Sequence, residues 1–406
     1  MGSVYFNFKY LIKNKTKSQD QRSQIKLNKR LYLRTFMKII VLFRLFWTSG
    51  ASKIAIEEAR ALTKLGHDVR LVFLRETPSG KYLEPLLKGI DYEIFSTKHP
   101  KWIYSTITGL FAPDRKGEGT VDYDLLKSFA KTVKPGDADL MICHDQLSGI
   151  SGYRVWKSSG IPYVVYVHEK VTGKYKVPIL GWYARRLEYT ILKNAKKVFA
   201  GTPKIANSIK STYEIQATAN FPGVELKDSK PYKSRDNMLL TSAVWDGGRN
   251  VMVYLKLVER LEDIKLLMVG RWRDKKLLQD FQNEIANKNL EDRIELITGI
   301  PEDKLQELYS KAKFIVRFGW GEWGPGMVTI DAISHLTPLI INSDLGISDL
   351  IRENGGGLVL NEISSDDIVK FVQNNDNEEN YSVLQDQLRR IASKYTWEAH
   401  AKILIS

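Results

Sequence analysis

The sequence predicts an α/β protein built from two doubly wound parallel-sheet domains. Three observations carry that expectation. Short apolar, β-branched runs alternate with helical periodicities along the chain from Met37 onward. The alternation comes in two series, separated by the polar stretch 227–236. The first run is apolar at nearly every position rather than at every second one, as a strand covered on both faces requires.

Residues 38–43 open the first series as a buried parallel strand. Ala51, Ile54, Ala55, Glu58, Ala59, Leu62 and Leu65 follow at helical spacing. Glu58 is the one break in that apolar stripe, and Gly66 ends it. Further strands are predicted over 69–74, 138–143, 163–167 and 197–200. The second series places strands over 238–242, 265–269, 293–297, 314–317, 339–341 and 358–360, with helices between them such as 251–261 and 303–311. The domain reading is therefore a basic leader (1–36), a first domain (37–226), a second domain (227–385) and a final helix (386–406).

Composition narrows the class. A chain of 406 residues is long enough for two to three domains of ordinary size. Hydrophobic residues make up 43% and charged residues 27%, which excludes a disordered or collagen-like chain. The one cysteine, Cys143, can build neither a disulfide framework nor a cysteine zinc site, and suits a reducing compartment. No apolar run reaches the roughly 18 residues of a membrane span, and residues 1–36 lack the apolar centre of a signal peptide. Of the net charge of +14, residues 1–36 carry +8, from nine basic side chains against Asp20. That leader reads either as a flexible tail ahead of a true start at Met37 or as a basic arm for anionic lipid or nucleic acid.

Doubly wound sheets bind ligands beyond the carboxyl ends of their strands. Small or polar residues gather there: Thr48 to Ala51, including Gly50, His144-Asp145, His168-Glu169, Trp245 to Arg249, and Phe318 to Met327. The most informative run is Arg317-Phe318-Gly319-Trp320-Gly321-Glu322-Trp323-Gly324-Pro325-Gly326-Met327-Val328-Thr329-Ile330-Asp331-Ala332, with a strand entering and a helix leaving. Gly324 and Gly326 let the backbone approach a ligand closely. The amides of Met327 and Val328 lie at a helix N-terminus, where phosphate binds readily. Asp331 is placed to accept from ribose hydroxyls, and Glu322 to hold sugar hydroxyls. Residues 319–324 also fit G-x-G-x-x-G, but two tryptophans and a glutamate inside the turn would crowd and repel a pyrophosphate.

At these residues the chain resembles the family 4 glycosyltransferases, which are of the retaining GT-B type, over about residues 37–400. Asp331-Ala332 is similar to the second acid of the family's E-x7-E motif. Glu322 stands for the first with one extra residue between them. Tyr166-Val167-His168-Glu169 resembles the strand-ending histidine beside the transferred sugar, and Pro222-Gly223-Val224-Glu225 resembles the run ahead of the second domain. Arg249, in Asp246-Gly247-Gly248-Arg249-Asn250, falls where the family has a diphosphate-gripping lysine, whereas the family's arginine position falls near Val244.

The resemblance implies a GT-B fold of two Rossmann-like domains facing across a cleft. It also implies retaining transfer of a sugar from a nucleoside diphosphate sugar, with no metal and no cofactor. His168, Glu322 and Arg249 are then the expected catalytic residues. Gly50, Arg249, Gly324, Gly326, Met327, Val328 and Asp331 are expected to bind the donor. The expected acceptor is lipid-linked or a glycan, and nucleic acid is not expected. A cytoplasmic protein, peripheral on the inner membrane face, fits stretches 98–115 and 170–197, which mix cations with Trp102, Tyr104, Trp182 and Tyr183. Two alternatives stay open: a nucleotide-sugar-binding or basic nucleic-acid-binding protein without transferase activity, and a GT-B epimerase or phosphorylase.

Overall fold

The computed structural model describes residues 36–96, 123–171 and 178–406. The leader residues 1–35 and the basic-aromatic stretch 98–115 lie outside these. The first series forms a seven-stranded parallel sheet from β1 (Lys38–Phe46), β2 (Asp68–Glu76), β3 (Tyr92–Ile94), β4 (Leu140–His144), β5 (Tyr163–Val167), β6 (Lys197–Ala200) and β7 (Thr218–Ala219), in the order β3-β2-β1-β4-β5-β6-β7. The second forms a six-stranded parallel sheet from β8 (Asp236–Ser242), β9 (Lys265–Val269), β10 (Ile294–Ile297), β11 (Ala312–Arg317), β12 (Leu339–Asn342) and β13 (Gly357–Leu360), in the order β10-β9-β8-β11-β12-β13. Both orders reverse once, between β1 and β4 and between β8 and β11. Two crevices therefore open at the carboxyl ends of the strands.

Both faces of each sheet are buried, which explains the apolar runs. Along β1, Ile40 and Leu42 enter the core on one face, while Ile39, Val41 and Phe43 enter the core on the other. Along β9, Leu266 and Met268 oppose Leu267 and Val269 in the same way. The two strands not anticipated, β3 and β7, are edge strands of three and two residues. They bury too little to leave an apolar run.

Among the described residues the chain crosses between the two lobes twice, and the crossings touch. Val224 N donates to Tyr395 O at 2.6 Å, and Val224 pairs with Thr396 as an isolated bridge. A Cβ on Gly223 would lie 2.3 Å from Trp397 Cα, so only glycine lets the two backbones pass. The Trp397–Ile405 helix then packs on the Gly50–Lys64 helix and puts Ala401 and Leu404 into the first lobe's core. Residues 386–394 remain with the second sheet: Leu388, Ile391 and Ala392 of the Glu378–Lys394 helix join its core.

One buried guanidinium pins the start of the second lobe. Arg235 donates to Lys230 O at 3.0 Å, Ala312 O at 2.8 Å, Thr337 Oγ1 at 2.7 Å and His335 O at 2.8 Å. Arg235→Met leaves several buried acceptors unpaired. The expected loss is about 3 kcal/mol or more, read as a lower urea midpoint for the second lobe; an unchanged midpoint would contradict it.

Candidate active site

The second lobe's crevice carries two arginines at the ends of its central strands. Arg317 ends β11, is buried, and donates to both Phe318 O and the Glu322 carboxylate. Arg249, from the turn after β8, donates to the same carboxylate and, through Nε, to Val244 O at 2.7 Å. Two guanidiniums thus share one carboxylate, which leaves an excess positive charge. Burial pulls Arg317 below the usual arginine range, against the pull of Glu322 and together with the neighbouring charge of Arg249. The buried Nη1 of Arg249 has no hydrogen-bond partner. A donor desolvated without an acceptor is costly, and a bound anion would satisfy it. Four residues after Glu322, Gly326 at φ 71° begins the Met327–Ser334 helix without any side-chain cap, so the helix N-terminus is left to a ligand or water.

The first lobe's crevice lies directly opposite. His168 follows β5, and a Cβ on Gly324 would stand 3.2 Å from His168 O. Gly50 opens the Gly50–Lys64 helix, whose Ser49 cap accepts from Ser52 N at 3.1 Å. A Cβ on Gly50 would lie 2.8 Å from Met327 Cγ, so its smallness admits the other lobe's helix. Thr202 Oγ1 donates to Trp323 O at 2.7 Å, and the Lys170 ammonium sits 4.2 Å from the centre of the Trp323 ring. Lys204 reaches Ser343 O, Leu345 O and Ser348 Oγ of the second lobe.

Asp331 sits deeper. Lys53, from the first lobe's Gly50–Lys64 helix, donates to both Asp331 oxygens at 2.9 and 3.0 Å and to Glu302 Oε1 at 2.6 Å. The Lys53 side chain is only 11% exposed and both acids 9%. Burial by itself would lower the Lys53 pKa. Asp331 first and Glu302 second outweigh it and raise it instead. The structure therefore gathers Arg249, Glu322, Gly324, Gly326, Met327, Val328 and Asp331 at one lobe's crevice, with His168 and Gly50 facing them. It adds Arg317, Lys53 and Glu302, which the sequence reading passed over. Arg317 looked like the last residue of a strand, though an arginine closing an otherwise apolar run was the available signal. Among the described residues no group of three or more His, Cys, Asp and Glu side chains is placed to hold a metal ion.

Two parallel α/β lobes, with an arginine-lined crevice facing a histidine-bearing one, define the class: a GT-B architecture. The sequence model of Glycosyltransferase Family 4 matches residues 48–226, and that of the Glycosyl transferases group 1 matches 225–390. The chain belongs to the family 4 glycosyltransferases.

Solved structures share the fold. HepE of Anabaena, in complex with UDP and glucose, superposes at a TM-score of 0.68 with 14% identity, over 91% of this chain and 98% of that one. Sucrose-phosphate synthase of Thermosynechococcus elongatus gives 0.67 and 16%, over 90% and 97%. WaaG, a glycosyltransferase involved in lipopolysaccharide biosynthesis, gives 0.63 and 13%, over 90% and 99%. A curated relative, the GDP-Man:Man(3)GlcNAc(2)-PP-Dol alpha-1,2-mannosyltransferase of Dictyostelium discoideum, is 26% identical over 164 residues. That match covers 35% of this chain and 32% of the relative, so the chain spans about a third of the curated protein's length.

Removing the lysine tests the tie between the lobes. Lys53→Met leaves two nearly buried carboxylates facing each other without a cation, a change that costs about 3–5 kcal/mol. Urea denaturation at neutral pH should report that loss, and adding Asp331→Asn should recover part of it. A single variant as stable as the parent would remove Lys53 from this role.

Proposed function

We propose that the protein transfers a sugar from a nucleoside diphosphate sugar to an acceptor, with retention of anomeric configuration. The observation that carries the reading is the pair Arg249 and Arg317 on Glu322, four residues ahead of the uncapped Gly326 helix, with His168 across the cleft from Gly324. The barrier in such a transfer is departure of the nucleoside diphosphate as negative charge develops on its phosphate oxygens. Fixed cations and amides in a crevice shielded from water stabilise that charge without reorganising. Arg249 Nη1 is the donor with spare capacity, and Arg317 holds the second guanidinium in register through Glu322. Asp331 accepts the ribose hydroxyls, since each of its oxygens keeps a lone pair beyond the bond from Lys53. Glu322 receives sugar hydroxyls on the edge not taken by the arginines, and His168 takes a sugar hydroxyl from the first lobe's side. In this reading the leaving group departs on the face from which the acceptor attacks, and lobe closure keeps water from the donor.

Similar proteins support a nucleotide sugar as donor: the Anabaena structure holds UDP and glucose, and the Dictyostelium relative is a GDP-mannose-dependent mannosyltransferase. A panel of UDP-, GDP- and ADP-sugars, read by thermal shift and by release of the nucleoside diphosphate, tests the reading. One class should stabilise the protein and be turned over. Arg249→Ala and Asp331→Asn should each weaken that donor by about 5- to 150-fold, the loss of one charge-assisted contact. Stabilisation without turnover in any acceptor mixture would instead indicate a binding protein.

We assign the acceptor to a lipid-linked or glycan substrate presented at an anionic membrane surface on the cytoplasmic side. No described helix is long and apolar enough to cross a membrane. The Pro178–Asn194 helix exposes Trp182 at 58% and Tyr183 at 55%, with the Arg186 guanidinium 5.4 Å from the Trp182 ring. Rings that sit among headgroups beside cations that meet anionic lipid suit such an interface. The parent should float with anionic vesicles in a salt-sensitive manner. Trp182→Ala with Tyr183→Ala should float at least several-fold less, and equal flotation would exclude this face.

A further inference from the structure

The glutamate that breaks the apolar stripe of the Gly50–Lys64 helix anchors a chain of side chains ending at the cleft. Glu58 is fully buried. Its Oε1 lies 3.2 Å from His144 Nε2, and its Oε2 lies 3.1 Å from His400 Nε2. His144 is also fully buried, and its Nδ1 lies 2.9 Å from His168 Nε2. His400 Nδ1 lies 2.8 Å from Phe221 O. The line His168–His144–Glu58–His400 thus runs from the cleft through the first lobe's core to the helix that returns from the second lobe.

Proton placement follows from what each atom can do. Burial works against ionising Glu58, but the hydrogen bonds it accepts from His144 and His400 favour the carboxylate, and its pKa is held below the usual carboxylate range. A carboxylate only accepts, so both imidazoles present N–H to it through Nε2. Phe221 O also only accepts, so His400 carries a proton on Nδ1 as well and is the imidazolium that balances Glu58. A second buried cation at His144 would leave uncompensated charge where there is no solvent. His144 is therefore neutral, and its Nδ1 carries a lone pair. That lone pair can only receive the Nε2 proton of His168, and a neutral His168 then keeps its own lone pair on Nδ1. Tyr166 packs at a tilt against both His144 and His168, and burial holds its phenol well above the ordinary range. Asp145 is paired with Arg44 at 3.3 Å.

We propose that His144 is a positioning residue, locked into one tautomer by the Glu58–His400 pair, and that it makes His168 a hydrogen-bond acceptor through Nδ1. The function it serves rests on the glycosyl-transfer reading, in which His168 accepts from a sugar hydroxyl. The protonation pattern does not.

Long-range ¹H–¹⁵N spectra of the full-length protein labelled at its six histidines test the pattern directly. His168 should show a protonated Nε2 and a bare Nδ1, and His400 should be protonated on both nitrogens. In Glu58→Gln the carboxamide oxygen keeps accepting from His144 while its NH₂ faces His400. His400 should then lose its Nε2 proton, and His168 should keep its tautomer. A His168 with a bare Nε2, or a neutral His400 in the parent, overturns the proposal.

Kinetics supply the second arm. His144→Phe removes the acceptor, and kcat should fall about tenfold, the worth of one hydrogen bond, with the donor KM within about twofold of the parent. His144→Asn, whose Oδ1 replaces Nδ1 as acceptor, should recover most of that loss. Equal kcat in parent and His144→Phe, or no recovery in His144→Asn, refutes the positioning role. A parent that turns over no nucleotide sugar defeats the transfer reading instead, and leaves the spectra to decide the proton pattern.

Discussion

Lys53 Nζ lies between the Asp331 and Glu302 carboxylates, and the relation of the two lobes depends on that cation. It projects from the first helix of one sheet, while both acids belong to the other. A single charge held between two carboxylates at low exposure is stabilising only while all three stay together, because any one left behind is a buried charge without compensation. The contact therefore behaves as a closed state with a definite geometry. Gly50 against Met327 and Thr202 against Trp323 O are fitted to that same state. The lobes can meet this closely because the residues at the meeting points are small or use backbone acceptors.

The doubly wound topology makes such a meeting useful. Each sheet leaves its one crevice at the carboxyl ends of central strands, so two sheets placed end to end enclose a site with different walls. One wall carries Arg249, Arg317 and a helix N-terminus, which suits a leaving anion. The other carries His168 and its buried support, which suits hydroxyls. Neither lobe alone presents both.

Much of the fold was legible because strands buried on both faces leave continuous apolar runs. Residues 163–167, 197–200 and 265–269 were read with the bounds that the structure shows. The edge strands β3 and β7 left no such trace. At the site, local signals read well: the glycines before Met327, the acid at Asp331 and the arginine after a turn. What stayed hidden were pairings across long separations. Glu58 stood out as a break in a stripe, but its partners lie 86 and 342 residues away. Lys53 meets Asp331 across 278 residues. Nothing in helical periodicity tells a solvated lysine from one received by another lobe. Arg317 was concealed differently: it ends an apolar strand, where a charge ordinarily reaches solvent, yet here the Glu322 carboxylate folds back to cover it.

The two chain crossings constrain how the cleft can open. Val224 is bonded to Tyr395, and Gly223 is packed against Trp397, so both crossings sit side by side at one place. Beyond it, the Trp397–Ile405 helix is tied into the first lobe by the His400–Glu58 bond and by Leu404 in the core. Before it, the Glu378–Lys394 helix is tied into the second lobe by Leu388 and Ile391. A rotation that parts Lys53 from its two acids must then be absorbed by the few residues between these anchors, near Asn220 to Val224 and Tyr395 to Thr396. Chain segments this short and mutually bonded permit a hinge but little sliding, because sliding would break the Val224–Tyr395 bond and drive Gly223 into Trp397. His400 lies on the first-lobe side of that hinge. The protonation it enforces on His144 and His168 therefore travels with the first lobe, and is the same whether the cleft is open or closed.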